Sequence, residues 1–241
     1  MKTQLSNTCA WICSRLFYLL HNRQAPFYSR EEFRWMNMSF SYCGEDLVLL
    51  KRINQLKIKD CLYVDVGAYD PIAFSNTNLL HKMGWRGINI DVDQEKIEKF
   101  NSLRPSAYNI QAAISNSKSK VKFAKYSTPF TNRIIDLDDP NEKSNLGEKP
   151  NSISVIKTCS LNEILENSPF AGQKIGYLDV DCEGKDLEVL ESLDFDRYSP
   201  EIISVEAFTN NERKTFDKYL NEKHYHISDI VDITTFFCKN S

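Results

Sequence analysis

An apolar run that stops at a glycine most constrains the fold of this chain. Residues Leu62–Val66 are apolar, aromatic or β-branched except Asp65, and Gly67 follows them directly. This pattern is typical of a buried parallel strand. Open α/β sheets bind ligands at the carboxyl ends of their strands, so residues 67–71 are the predicted ligand turn. Glycine has no Cβ and lets a ligand lie against the main chain.

A second apolar run, residues 87–93, also ends in acids and is predicted to be the next strand. An acid at this position accepts hydrogen bonds from ribose hydroxyls, and Asp91 lies about 20 residues beyond the glycine turn, as that geometry requires. The first turn reads GAYDP instead of GxGxxG, so it lacks the glycines that cradle a pyrophosphate. The sequence therefore favours S-adenosylmethionine over NAD as the ligand.

Composition places the chain among ordinary globular proteins. It has 241 residues, 41% of them hydrophobic, and a net charge of -3. This length and hydrophobic content are enough for one substantial α/β core. Its 30 basic residues are scattered and outnumbered by 33 acids, so we expect no nucleic-acid partner. Seven scattered cysteines, an odd number, indicate a reducing, cytoplasmic location.

The first 38 residues are predicted to form a helical extension outside a domain that spans residues 39–241. Residues 10–20 are apolar apart from Arg15 and Ser14, too short a run for the roughly 20 residues of a transmembrane helix. We expect an amphipathic helix that packs on the domain or on a second copy in a homo-oligomer. Peripheral contact with a membrane is the alternative.

The remaining sequence alternates strand and helix patterns. Residues 108–115 are predicted to be a third strand whose small terminal residues leave room for a flat base. The polar residues 128–152 are a loop that is either a lid or disordered. The last two strand patterns, residues 225–232 and 234–240, predict an antiparallel pair at the edge of a mostly parallel sheet.

Acids cluster where the strand Ile175–Val180 ends. Asp179, Asp181 and Glu183 occupy alternate positions, so an extended chain would place them on one side. Another predicted strand ends in Glu206. Like charges repel, and therefore a cation, a raised pKa or strong solvation must offset the clustering.

Six segments taken together resemble the FkbM family of S-adenosylmethionine-dependent methyltransferases. They are GEDLVL, YVDVGAYDP, SNT, GWRGINIDVD, LDVDCEGKDLEVL and PEIISVE, between about residues 39 and 208. The resemblance implies a Rossmann-like class I methyltransferase fold and methylation of a hydroxyl on a sugar, glycan or natural product. It places these residues on cofactor-side motifs: Gly44, Glu45, Asp65, Gly67, Ala68, Asn76, Thr77 and Asp91. Tyr69 stands where many relatives have Asn.

The same resemblance directs the fourth-strand acids toward the reactive end of the cofactor, with Asp179 on the cofactor side. Asp181, Glu183 and Glu206 are the candidates for a general base, or for an oxygen-ligand set that binds Mg²⁺ or Mn²⁺. Asn76 and Thr77 either contact the cofactor or cap a helix. Two other functions stay open, a nucleotide-binding oxidoreductase and a non-catalytic S-adenosylmethionine-binding module.

Overall fold

The computed structural model describes Glu32 and residues 35–59, 61–128, 131–135 and 147–240. The chain divides into two units, Met1–Met38 and Ser39–Ser241. The predicted amphipathic helix of residues 10–20 lies outside the described residues. Within the described part of the chain, no helix is both long and apolar enough to cross a membrane.

Helices and strands alternate along most of the second unit. In chain order they are α1 (Glu45–Leu56), β1 (Leu62–Val66), α2 (Asn78–Lys82), β2 (Arg86–Asp91), α3 (Gln94–Leu103), β3 (Tyr108–Gln111), β4 (Ala113–Ile114), β5 (Lys120–Lys125), β6 (Arg133–Ile135), β7 (Ser152–Cys159), α4 (Leu161–Asn167), β8 (Ile175–Val180), α5 (Asp186–Glu191), β9 (Ile202–Glu206), α6 (Asn210–Asn221), β10 (Tyr225–Val231) and β11 (Thr234–Lys239). The mixed α/β fold is the class that the sequence predicts.

The main sheet of the described residues has seven strands in the order β10-β11-β9-β8-β1-β2-β3. Neighbours from β9 through β3 pair in parallel, whereas β11 pairs antiparallel with both β9 and β10. The chain runs from β1 outward through β2 to β3, and later from β8 outward through β9. The strand order therefore reverses between β1 and β8, and ligands of open α/β sheets bind at such a point.

Helices cover both faces of this sheet because the strand side chains alternate between them. Leu62, Val64 and Val66 of β1 pack in a core cluster with residues of α4, α5 and α6. Tyr63 points to the other face, where it packs with Leu49 of α1. Burying a side chain of this size contributes about 1.5–3 kcal/mol relative to leaving it exposed. Two apolar layers thus fix the positions of the strand ends.

Residues 112–159 contribute a smaller sheet, in the order β4-β7-β5-β6. The prediction of a single strand over residues 108–115 is wrong, because the pairing changes partner after Gln111. The amide of Ala112 still donates to the Asp91 carbonyl at 3.1 Å, but that of Ser115 donates to the Cys159 carbonyl at 3.0 Å. The main chain thus leaves the main sheet here, and β4 pairs in parallel with β7.

Candidate active site

A cavity of about 230 Å³ opens at the carboxyl ends of β1, β2 and β8, beside the point where the strand order reverses. The turn after β1 forms one wall and Asp91 with Val92 another. The smaller sheet adds Phe123 of β5 and Ile134 of β6. The cavity therefore combines polar strand ends with an apolar wall supplied by both sheets.

Buried carboxylates line this cavity because, on one face of the sheet, aromatic side chains are followed by acidic ones toward the carboxyl ends of the strands. On that face, β1 presents Tyr63 and then Asp65, and β8 presents Tyr177 and then Asp179. The tyrosines lie in the core beneath α1 and α2, whereas both aspartates line the cavity. The period-two alternation of a strand thus carries the acids to the cavity floor.

Asp65 and Asp179 are direct neighbours on adjacent parallel strands. Burial, together with the negative charge of Asp179, raises the pKa of Asp65 to about 7. Burial also raises the pKa of Asp179. The hydroxyl of Thr77 donates to Asp65 at 2.5 Å, and the hydroxyl of Ser204 donates to Asp179. The pair is therefore held in place by hydroxyls, and among the described residues no cation contacts it directly.

Two further groups surround Asp179. The side chain of Asn76 lowers its pKa, against the larger effect of burial, and the charge of Glu45 raises it. Glu45 itself is buried and accepts a hydrogen bond from the backbone N–H of Cys43 at 2.7 Å. Because the negative charges of the described residues outnumber their direct positive partners here, this end of the cavity favours a cationic ligand group.

Asp91, at the end of β2, is buried and held by the backbone. Its Oδ2 accepts from the Tyr69 N–H at 2.9 Å and its Oδ1 from the Asp93 N–H at 2.8 Å. Lys96 Nζ lies 3.8 Å from Oδ2. Burial raises the pKa of Asp91, although Lys96 and the two backbone bonds oppose this effect. Each carboxylate oxygen has two lone pairs, so both can still accept from a ligand hydroxyl.

The turn after β1 needs glycine for a reason internal to the protein. Gly67 has φ +83°, and a Cβ on it would lie 1.7 Å from the carbonyl oxygen of Asp181. The N–H groups of Gly67 and Ala68 both donate to the Ile90 carbonyl, at 2.9 and 3.0 Å. Tyr69 follows with φ +52°, a region that favours Asn or Gly over an aromatic residue. The three main-chain segments therefore meet tightly beneath the cavity.

The acid cluster after β8 is built differently from its predicted form. The strand ends at Val180, and Glu183 has φ +49°, so the expected alternation of three acids along an extended chain is wrong at Glu183. Asp181 instead lies near Glu206 at the end of β9. Burial, then the charge of Glu206, raises the pKa of Asp181 well above its usual value. Burial, then the charge of Glu183, raises the pKa of Glu206 to about 7.

Residues 65–239 match the model of the methyltransferase FkbM domain. The chain belongs to the FkbM methyltransferase family. This confirms the resemblance and identifies the protein as a methyltransferase. None of the curated proteins matches the chain. Among solved structures, a protein from Pyrococcus horikoshii described as a candidate RNA methyltransferase aligns with 82% of this chain and 85% of its own. Its identity is 11% and its TM-score is 0.42.

The FkbM domain brings most of its predicted cofactor residues to one cavity. Those that line it are Asp65, Gly67, Ala68, Asn76, Asp91 and Asp179. Gly44, Glu45 and Thr77 lie outside the lining. Gly44 is the N-cap of α1, whereas Thr77 stands at the N-cap of α2 without capping it through its side chain. The hydroxyl of Thr77 is instead bonded to Asp65.

Of the predicted catalytic residues, Asp181 and Glu183 line the same cavity, whereas Glu206 lies outside the lining and its charge acts on Asp181. The described residues contain no group of three or more His, Cys, Asp or Glu side chains placed to hold a metal ion. The divalent cation considered from the sequence is therefore unsupported by the site of the FkbM domain.

Sequence reasoning missed several side chains that build the site. Ser204 is a polar residue inside an apolar strand and lies opposite Asp179 in the β8–β9 pairing, a signal that the sequence offered. Lys96 and Arg133 also line the cavity. Arg133 belongs to the smaller sheet, and no local pattern links that segment to the ends of β1 and β2.

Proposed function

We propose that this FkbM methyltransferase binds S-adenosylmethionine in the described cavity and methylates a hydroxyl group of a sugar, glycan or natural product. The observation that carries the proposal is the pairing of Asp65 with Asp179 at the cavity floor, with Gly67 two residues beyond Asp65. Bound S-adenosylmethionine would supply an activated methyl group on a sulfonium, and its amino group is also cationic. Two buried carboxylates that no cation of the described part of the chain contacts suit such a ligand.

The opposite side of the cavity suits the nucleoside. Asp91 has free lone pairs that can accept from ribose hydroxyls. Val92, Ala112, Ile114 and Phe123 line the cavity beyond it, and such apolar side chains can cover a flat adenine ring. The residues therefore support a ligand with a cationic end and a nucleoside end.

Asp181 and Glu206 are the proposed general base. A hydroxyl must lose its proton as it attacks a methyl group, and a base works best when its pKa lies near the working pH. The charge of Glu206 acts on Asp181, and burial, then the charge of Glu183, raises the pKa of Glu206 to about 7. When both carboxyls are ionised, the pair can take the acceptor proton and then hold it between two oxygens.

Binding of the cofactor product tests the proposal. S-adenosylhomocysteine and NAD are titrated by calorimetry into the wild type, Asp91→Ala and Glu95→Gln. Asp91→Ala should weaken S-adenosylhomocysteine binding by about 1–3 kcal/mol, because ribose hydroxyls lose their acceptor. Glu95→Gln removes one negative charge from an exposed position of α3 outside the cavity lining and should bind normally.

Binding of NAD in preference to S-adenosylhomocysteine would reverse the assignment. Equal affinities of a folded Asp91→Ala variant and the wild type would remove Asp91 from the site. Thermal melts of both variants establish that each is folded at the titration temperature.

A further inference from the structure

Arg104 is a cation buried next to the site. It follows α3, is 1% exposed, and lies outside the residues that line the cavity. Its guanidinium donates at 2.6–3.2 Å to five neutral acceptors, the oxygens of Tyr63, Pro71, Ser75, Thr77 and Asn89. A buried charge is costly unless hydrogen bonds and an opposite charge offset it. The position of that opposite charge therefore matters.

The opposite charge is one hydroxyl away. Arg104 donates to Thr77 Oγ1 at 2.9 Å, and Thr77 Oγ1 donates to Asp65 Oδ2 at 2.5 Å. A guanidinium has only donors, so the Thr77 hydroxyl must accept from Arg104 and direct its own proton to Asp65. The charge of Arg104 lowers the pKa of Asp65, against the larger effect of burial. Arg104 thus favours the ionised form of a cavity carboxyl that it does not touch.

A second branch holds the loop that follows the glycine turn. Arg104 donates to the Pro71 carbonyl at 2.6 Å and to the Ser75 hydroxyl at 2.9 Å. Asn76, the next residue, lines the cavity together with Asp179 and lowers the pKa of that carboxyl, against the larger effect of burial. Both members of the buried carboxyl pair are therefore connected to the same guanidinium, one through Thr77 and the other through the loop.

We propose that Arg104 is a positioning residue of the cofactor site, which holds Asp65 and the loop of residues 71–77 in the arrangement that receives the cationic amino acid end of the cofactor. This inference rests on the proposed function. The planar fork of donors suits the task, since a lysine ammonium cannot reach both branches at once. The guanidinium also lies over the Phe100 ring, 5.0 Å from its centre.

The test is the affinity for S-adenosylhomocysteine between about pH 6 and pH 8, measured by calorimetry on Arg104→Met, Arg104→Lys and Thr77→Val. The charged groups that face Asp65 are Asp179 of β8, Asp91 of β2 and Arg104 itself. In the wild type, affinity should rise with pH as the carboxyl pair loses its proton. Arg104→Met removes the favourable charge, so the rise should move to higher pH.

At neutral pH, Arg104→Met should bind severalfold more weakly, because without the arginine charge a smaller fraction of Asp65 is ionised. Arg104→Lys should restore part of the affinity and move the pH midpoint back toward that of the wild type. Thr77→Val removes the hydroxyl that connects Arg104 to Asp65 and keeps the arginine, so it should also shift the pH midpoint of binding. If Arg104→Met does not fold, the result for Thr77→Val decides whether Arg104 acts on Asp65.

Tyr225→Phe is the matched control, because it removes a buried hydroxyl that donates to the Pro200 carbonyl at 2.6 Å, far along the sheet from the cavity. It should lower the melting temperature and leave both affinity and midpoint unchanged. If the folded Arg104 and Thr77 variants match the wild type at every pH, the inference is overturned while the proposed function stands. If the wild type does not bind S-adenosylhomocysteine, both are overturned.

Discussion

A buried pair of carboxyls ties stability to pH at the level of single residues. The pKa of Asp65 is about 7 in the folded protein, against about 3.9 in an unfolded chain. Between these values the folded state keeps a proton that the unfolded state releases, so stability falls as pH rises. The asparagine of Asp65→Asn cannot ionise. The free energy of unfolding of this variant should therefore rise relative to that of the wild type by up to about 1.4 kcal/mol per pH unit across this window.

Melting temperatures of both proteins between about pH 5 and pH 8 check this prediction. Asp70→Asn is the control. Burial alone would raise the pKa of Asp70, but hydrogen bonds from Lys99 and the backbone lower it. Asp70 is then ionised above about pH 5 in both the folded and the unfolded protein. The difference in melting temperature between Asp70→Asn and the wild type should therefore stay constant with pH. Parallel curves for Asp65→Asn and the wild type would contradict the buried-pair interpretation.

Asp181 allows binding and chemistry to be separated. Asp181→Asn keeps the shape and a donor to Glu206 but cannot take a proton, so it should bind S-adenosylhomocysteine nearly normally and lose methyl transfer. The loss should be about 100-fold or more in rate, as for other general bases. Production of S-adenosylhomocysteine with a panel of sugar acceptors measures it, and Glu188→Gln, which removes a nearby acid outside the cavity lining, should remain active. Full turnover by Asp181→Asn would exclude this residue as the base.

At the scale of elements, the turn after β1 and the loop after β8 are locked together. Gly67→Ala places a Cβ against the Asp181 carbonyl, in addition to the cost of a left-handed backbone, and should lose about 2–4 kcal/mol of stability. Gly44 has a similar φ of +88°, but a Cβ there would meet no atom of the described residues within 4 Å. Gly44→Ala should therefore cost only about 1 kcal/mol. Urea unfolding compares the two, and equal losses would show that close approach does not matter.

The elements that the sequence predicts best are those whose signal is local. The apolar runs of β1, β2, β8 and β9 each stop near an acid, and that pattern located the strand ends that meet at the cavity. The change of strand partner at Ala112 could not be predicted from the local sequence, because β4 pairs with β7, more than 40 residues later. Arg104 was equally hidden. Its sequence context is a polar helix end, and its burial arises from contacts with β1, β2 and the loop before α2.

At the scale of the whole molecule, two sheets cooperate in one site. Lys125 at the end of β5 contacts Asp93 at 2.7 Å and Glu95 at 3.1 Å, at the start of α3. These ion pairs fasten the smaller sheet beside the end of β2. Partly exposed ion pairs contribute only about 0–1 kcal/mol to stability. We therefore expect a bound ligand to couple the two sheets mainly through its apolar contacts with Phe123 and Ile134, which line the cavity.

Ligand binding should therefore stabilise both sheets on one side of the molecule. A cofactor that fills the cavity would contact the ends of β1 and β2 in the main sheet and β6 in the smaller one. Hydrogen exchange should slow in these three elements when S-adenosylhomocysteine is added, because opening them would release the ligand. The pair β10 and β11 lies at the far edge of the main sheet and serves as the internal control, with unchanged exchange. Protection confined to β1 and β2 would show that the smaller sheet takes no part in binding.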